Sequence, residues 1–426
     1  MNSERNVLSN TTFITLGYGL SALFGLLRQA VVGINLSPIE FGVYNFIYIW
    51  LGYANYTDLG INNGSLYFSS QEAGKGNVSD SKSIINNGYS AVLYIGLTIF
   101  VISFSFSFFP FNFLDDYRNL LRICALAVIA TMIFNFLQVE MRVKENFLLI
   151  SISMVLATFF SFLFSIISGM YITERLIEWM LLSWVLGIVF SSIFLFFYSK
   201  LSPSIFIKYE DIKKLLNQGV PMTIIPIFIV IFIGIDRWIL ISLAEPIKLG
   251  FYALGCTIGY GMIFMIPNAV GVVLFSKFLR NTGQEISTGI EKSLEALMIT
   301  SLIICSLMPL LLGISILTLP YLLNYFFPAY LDGLNLIIIV LFAYTAFSVN
   351  STYNFFLIAH DKKRKLFFIL LPMIITLGIL IYISHSLFGL EGAAFSLFAT
   401  CAGSCCLGLL AISWVYLACN PIRAVL

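Results

Sequence analysis

Four charged side chains stand inside stretches that are otherwise almost wholly apolar: Arg28, Asp58, Asp236 and Arg237. A guanidinium presents a planar fork of donors that matches phosphate or carboxylate and does not deprotonate. A carboxylate withdrawn from water is a natural station for a proton or a small cation. Amides accompany the charges: Asn55 and Asn62 flank Asp58, and Asn350 and Asn354 stand in the second half. The two histidines, His360 and His385, fall on opposite sides of the span pattern set out below and cannot cooperate. No nucleophile–base pair, phosphate loop or metal-ligand spacing stands in a suitable context, so neither an enzyme nor a metal site is expected. The seven cysteines include no C-x-x-C pair and are expected to be small core residues.

Such charges need elements to hold them. Apolar residues make up 59% of the chain, against roughly 45–50% in soluble domains. Charged residues make up only 10%, where about 25% is ordinary. So few charges cannot cover a soluble chain of 426 residues, so lipid must solvate most of the surface. A net charge of +2 implies no affinity for nucleic acid. Crossing the hydrocarbon takes about 20 apolar residues. Twelve runs qualify: about 12–34, 41–68, 84–108, 120–140, 147–171, 178–198, 219–243, 250–275, 293–319, 334–357, 366–388 and 392–418. The expected fold is therefore an all-α polytopic membrane protein. Residues 1–200 would form one six-helix bundle, 201–218 a connection, and 219–426 a second bundle. The first apolar run is too long for a cleavable signal and lacks a small-residue cleavage site.

Lysine and arginine set the orientation. With the N-terminus inside, the inner segments hold 17 of them and the outer segments only four, Arg118, Arg122, Arg175 and Lys248. This bias puts both termini in the cytoplasm. No connection is long enough to fold as a soluble domain, which weighs against sugar transferases and polymerases.

A charge near the bilayer centre costs roughly 2.5–3.5 kcal/mol and is kept where it faces a cavity or a partner. On a continuous second helix, Tyr44, Tyr48, Asn55, Asp58, Asn62 and Ser65 would share one face. That stripe either lines a wet cavity or binds neighbouring helices. In the tenth span, Tyr344, Ser348, Ser351 and Tyr353 make a vaguer polar region around Asn350 and Asn354. Those two asparagines either meet a ligand's hydroxyls or pack. Arg28 and Arg237 either hold an anion or neutralise Asp236 and Asp58, and the two roles are compatible.

An internal repeat adds order. SPIEFGVY at 37–44 and EPIKLGFY at 245–252 match at Pro38/Pro246, Ile39/Ile247, Gly42/Gly250 and Tyr44/Tyr252, a constant offset of 208. Each copy would form the outer turn between the first two helices of a six-helix half. Six is even, so the halves share an orientation and a pseudo-two-fold axis along the membrane normal. Proteins built this way hold substrate between the halves and rock them. The same offset maps Arg28 onto Asp236, which suggests an outer gate unless Asp236 pairs within its own half.

The sequence also resembles a known family. "LSPIEFGVYNFIYIWLGYANYTDLGINNG" (36–64) resembles the opening of the polysaccharide-transport flippases, L-G-P-x-x-[FY]-G-x-Y followed by D-L-G. "IDRWILISLAEPIKLGFY" (235–252) and "GLEGAAFSLFAT" (389–400) resemble that family's seventh-helix segment and the entry to its last helix. Ser37 and Ala244 depart from the usual glycine before the turn. The resemblance implies a MATE-like fold in the bacterial inner membrane and a lipid-linked oligosaccharide on undecaprenyl pyrophosphate as cargo. Polysaccharide polymerase and chain-length regulator would be partners. No cofactor is expected; should H+ or Na+ exchange drive transport, Asp58, the only carboxylate well inside the spans of the first half, is the natural coupling candidate. An exporter of small amphipathic cations would share the fold but should carry a net acidic cavity.

Overall fold

In a computed structural model, the described residues are 2–108, 118–203, 209–264, 286–359 and 363–419. Among them every regular element is helical. The helices are α1 (Asn2–Asn35), α2 (Pro38–Tyr53), α3 (Ile61–Gly74), α4 (Val78–Phe106), α5 (Arg118–Val143) and α6 (Phe147–Tyr171). Then come α7 (Leu176–Tyr198), α8 (Tyr209–Leu243), α9 (Pro246–Ile258), α10 (Ile286–Phe326), α11 (Leu334–Ala359) and α12 (Lys363–Cys419). Nine helices among the described residues are long and apolar enough to cross a membrane. The difference from twelve has three local causes. The second span is broken, the eighth passes into residues outside those described, and the last two run together through a kink at Gly389 (φ 65°). The chain is a multi-pass membrane protein.

The break in the second span corrects the expectation of one helix over 41–68. After Tyr53 the backbone tightens into a 3-10 turn at Ala54–Tyr56. Leu59 and Gly60 then take left-handed φ of 54° and 90°, and α3 begins at Ile61. Close backbone packing accounts for Gly60 and its neighbours. A Cβ on Gly219 of α8 would lie 1.9 Å from the Gly60 carbonyl, and one on Gly64 only 2.2 Å from the Leu215 carbonyl. The six polar residues therefore do not share one continuous helical face.

The two repeat turns start their helices alike. Pro38 and Pro246 open α2 and α9, where the missing N–H costs nothing. Their caps differ. Ser37 and Glu40 exchange backbone and side-chain bonds in a capping box (2.9 and 3.4 Å), whereas Glu245 pairs with Lys248 at 3.1 Å. Helix boundaries repeat as well. Asn35 and Leu243 end α1 and α8, and Val78 and Ile286 open α4 and α10, each pair 208 residues apart. From α5 onward the starts stand 216 apart (Arg118/Leu334, Phe147/Lys363), because α10 is 41 residues long where α4 has 29.

The chain forms two compact units, Met1–Asn35 with Ile47–Val230, and Leu36–Phe46 with Ile231–Leu426. This differs from a division at 201–218 in two ways: α8 passes from one unit to the other at Val230, and the start of α2 belongs with the second unit. In the first unit, α6 packs on α1 and α7 through small residues. Ser153, Ser161, Ser165 and Ser191 are buried there, and a Cβ on Gly187 would sit 2.3 Å from the Ala157 carbonyl. Ile61, Tyr89, Met132, Phe136 and Leu215 fill a core among α3, α4, α5 and α8. In the second unit, α11 packs on α12 and α9. Buried Tyr330 meets Phe41 and Phe251 edge-on at 5.9 Å each and donates to the Leu36 carbonyl.

Candidate functional site

The first unit carries Arg28 on α1, 2% exposed. One Nη–H donates to the Met180 carbonyl of α7 at 3.4 Å. The guanidinium also lies over the Tyr48 ring, 5.3 Å from its centroid, and Tyr48 in turn meets Trp184 edge-on at 5.6 Å. A cation held on an aromatic face is aligned without a neutralising charge from that partner. Within the break, exposed Asn55 donates to the Gly52 carbonyl and accepts from Asn135 of α5 at 3.0 Å. Asp58 is buried, and its Oδ2 accepts the Asn62 N–H at 2.7 Å. The carboxylate thus caps α3, where the helix dipole favours a negative charge. Among the described residues Asp58 forms no ion pair, so neutralisation by an arginine is not how it is held. Asn62 Oδ1 is buried and has no partner among the described residues. Neighbouring Asn63 donates to Thr223 of α8 at 2.8 Å.

The second unit carries a closed polar knot. Asp236 is fully buried and accepts from the Tyr252 hydroxyl at 2.7 Å and from the Arg237 backbone N–H at 2.8 Å. Arg237 Nε stands 3.5 Å from the same carboxylate, and its Nη donates to the Ile233 carbonyl at 2.7 Å. The Cys256 thiol lies 3.9 Å from the second carboxylate oxygen. Asp236 therefore has its partners within its own unit, the arrangement set against a gate. A void of about 10 Å³ beside Tyr344 and Phe232 has room for about one water. Asn354 is buried on α11, and the side chain of Asn350 lies outside the described residues, as does His360.

The structure thus brings Arg28 to Tyr48 and Asp236 to Arg237, and gives Asn55 and Asp58 local partners. Reasoning from sequence missed Met180, Trp184, Asn135, Tyr252 and Cys256 as partners. The repeat held the signal for one of these, Cys256. Arg28 contacts the residue 20 positions on, Tyr48, and Asp236 contacts its own residue 20 on, Cys256. One helix–turn–helix geometry serves both. The first unit thus holds a cation at Tyr48 and, separately, amides and a buried amide oxygen around the helix break. Among the described residues no three His, Cys, Asp or Glu side chains gather as a metal site would require.

Solved structures share this fold over nearly the whole length. An inward-facing multidrug resistance MATE family transporter of the MOP superfamily superposes with a TM-score of 0.72 at 14% identity, covering 96% of each chain. The outward-facing form of such a transporter gives 0.67 at 14% identity, covering 98% of this chain and 96% of that one. A MOP superfamily transporter from Pyrococcus furiosus, described as having a binding pocket of reverse polarity, gives 0.62 at 14% identity, with 97% and 96% covered. No curated protein matches the sequence. The family model for polysaccharide biosynthesis proteins matches residues 7–275. The fold is that of the MATE-like transporters, and the chain belongs to the polysaccharide biosynthesis protein family.

Proposed function

We propose that the chain is a flippase. It carries an oligosaccharide repeat unit on undecaprenyl pyrophosphate from the cytoplasmic to the periplasmic leaflet, by alternating access, for a surface polysaccharide such as O-antigen or capsule. The observation that carries this reading is the match to a polysaccharide biosynthesis family by a chain with a transporter fold. The inner membrane, with both termini cytoplasmic, is the location that the lysine and arginine bias supports. Polymerase and chain-length regulator are the proteins that would take the product onward.

The physics of the cargo fits Arg28. Pyrophosphate and sugars do not enter hydrocarbon, whereas the polyprenyl tail stays in it. A guanidinium aligned on Tyr48 can meet the pyrophosphate, and Asn55 and Asn62 can meet hydroxyls. With the interior negative, outward movement of an anion is favoured by about 2.3 kcal/mol per charge per 100 mV. Asp58 is the candidate for proton or sodium coupling, because it is a buried carboxylate at a helix break.

Deleting the gene from its host tests the reading. Lipid-linked repeat units should accumulate in the inner leaflet and surface polymer should vanish, both reversed by the intact gene. The second reading, a cation-coupled exporter of small amphipathic molecules, draws on the multidrug transporters that share the fold. Unchanged polymer with increased sensitivity to amphipathic cations would favour it and end the flippase proposal.

A further inference from the structure

A cavity of about 280 Å³, largely apolar but rimmed by charged side chains, lies in the first unit where α3 and α5 finish and α4 begins. Lys82 of α4, Lys144 just past α5 and Lys200 just past α7 reach its rim, and Ile85, Val143 and Leu201 make its apolar wall. The cavity is built rather than incidental. The chain after α7 is strapped down where the Lys200 N–H donates to Glu140 Oε1 and the Ser202 N–H donates to Asn86, both at 3.1 Å. Ser69 and Ser81 tie α3 to α4 alongside, at 2.7 Å.

Its charges are unevenly matched. Lys144 pairs with Glu140, while Lys82 and Lys200 form no ion pair among the described residues. Glu140 is only 4% exposed, and its Oε2 has no partner among those residues. The cavity therefore asks for a ligand with an anion for two lysines and a hydroxyl donor for one buried carboxylate oxygen. Depth narrows the choice further. Immediately before Lys200, α7 ends in Phe196, Phe197 and Tyr198, which are 56%, 81% and 53% exposed. Exposed aromatics at a helix end mark the membrane–water interface, so the lysines stand at headgroup level.

We propose that this cavity binds the headgroup of an anionic glycerophospholipid from the surrounding leaflet. Its phosphodiester lies between Lys82 and Lys200, and a headgroup hydroxyl donates to Glu140 Oε2. Basic pockets at the ends of membrane helices take anionic lipids in this way. The inference does not depend on what the protein transports.

Purified protein in neutral detergent, titrated with phosphatidylglycerol and followed by native mass spectrometry, tests it. Phosphatidylglycerol should bind at least about fivefold more tightly than phosphatidylcholine, a lysine near an anionic headgroup being worth about fivefold. The variant Lys82→Gln/Lys200→Gln leaves the Lys144–Glu140 pair intact. It should bind phosphatidylglycerol about 30-fold more weakly, each single substitution accounting for about fivefold. Lys82→Arg/Lys200→Arg should bind as the parent does. Three results would overturn the proposal: equal affinity for both lipids, undiminished binding by the glutamine variants, or displacement of the lipid by equimolar inorganic phosphate.

Discussion

Arg28 and Asp236 occupy the same place in the two repeats, in the C-terminal third of α1 and of α8, and both reach the residue 20 positions on. Their surroundings differ. Arg28 rests on the Met180 carbonyl and the Tyr48 face, whereas Asp236 is sealed among Tyr252, Arg237 and Cys256. Tyr44 and Tyr252 also correspond, yet Tyr252 completes the Asp236 knot while Tyr44 stacks on Phe41 in the second unit. A duplicated scaffold has kept its contacts and exchanged their chemistry. One copy holds its charge against a carbonyl and an aromatic ring, and the other holds it in a carboxylate–guanidinium pair.

The largest effect should come from opening the sealed knot. Asp236→Ala would strand the buried Arg237 and cost about 3–5 kcal/mol, so little monodisperse protein should survive size-exclusion chromatography. Normal yield and melting temperature for that variant would erase the contrast between the copies. Tyr252→Phe removes one donor from a buried carboxylate and should cost about 1–3 kcal/mol, seen as a lower melting temperature with the same elution position.

Arg28→Lys sharpens the other side. It keeps the charge but loses the planar fork, so flipping should fall about tenfold while membrane abundance stays within about twofold. Equal losses of abundance and transport would make Arg28 a packing residue like its counterpart.

The smallest structural effect is expected at Asp58, where two substitutions separate cap from charge. Asp58→Ala should destabilise by about 0.5–2 kcal/mol. Asp58→Asn retains an oxygen for the Asn62 N–H and should leave the melting temperature nearly unchanged, yet abolish or uncouple flipping. Full complementation of polysaccharide assembly by Asp58→Asn would remove Asp58 from the mechanism.

Much of the fold was legible because lipid leaves few choices. Apolar runs of membrane-spanning length must be helices, since the backbone has no other partner there. The repeat turns were readable from Pro38 and Pro246, which fix the first helical residue. The break at 54–60 was not. It depends on the close approach of Gly60, Gly64 and Gly219, and a glycine contact between segments some 150 residues apart leaves no local pattern. Asp58 was visible as a charge, but its work as a cap follows from that break. The Asp236–Arg237 pair was open to inference as neighbours on one helix, whereas Tyr252 needed knowledge that α8 and α9 fold back on each other.

The start of α2 carries a consequence of a different kind. Residues 36–46 are encoded in the first half of the gene but complete the second unit. There Phe41 meets Tyr330, Asn45 accepts from Thr257, and a Cβ on Gly250 would lie 1.9 Å from the Pro38 carbonyl. A gene split between α7 and α8 would give a second product missing this piece, its Gly250 surface and Tyr330 ring uncovered. Expressed without the first half of the gene, the second unit would therefore lack part of its own core.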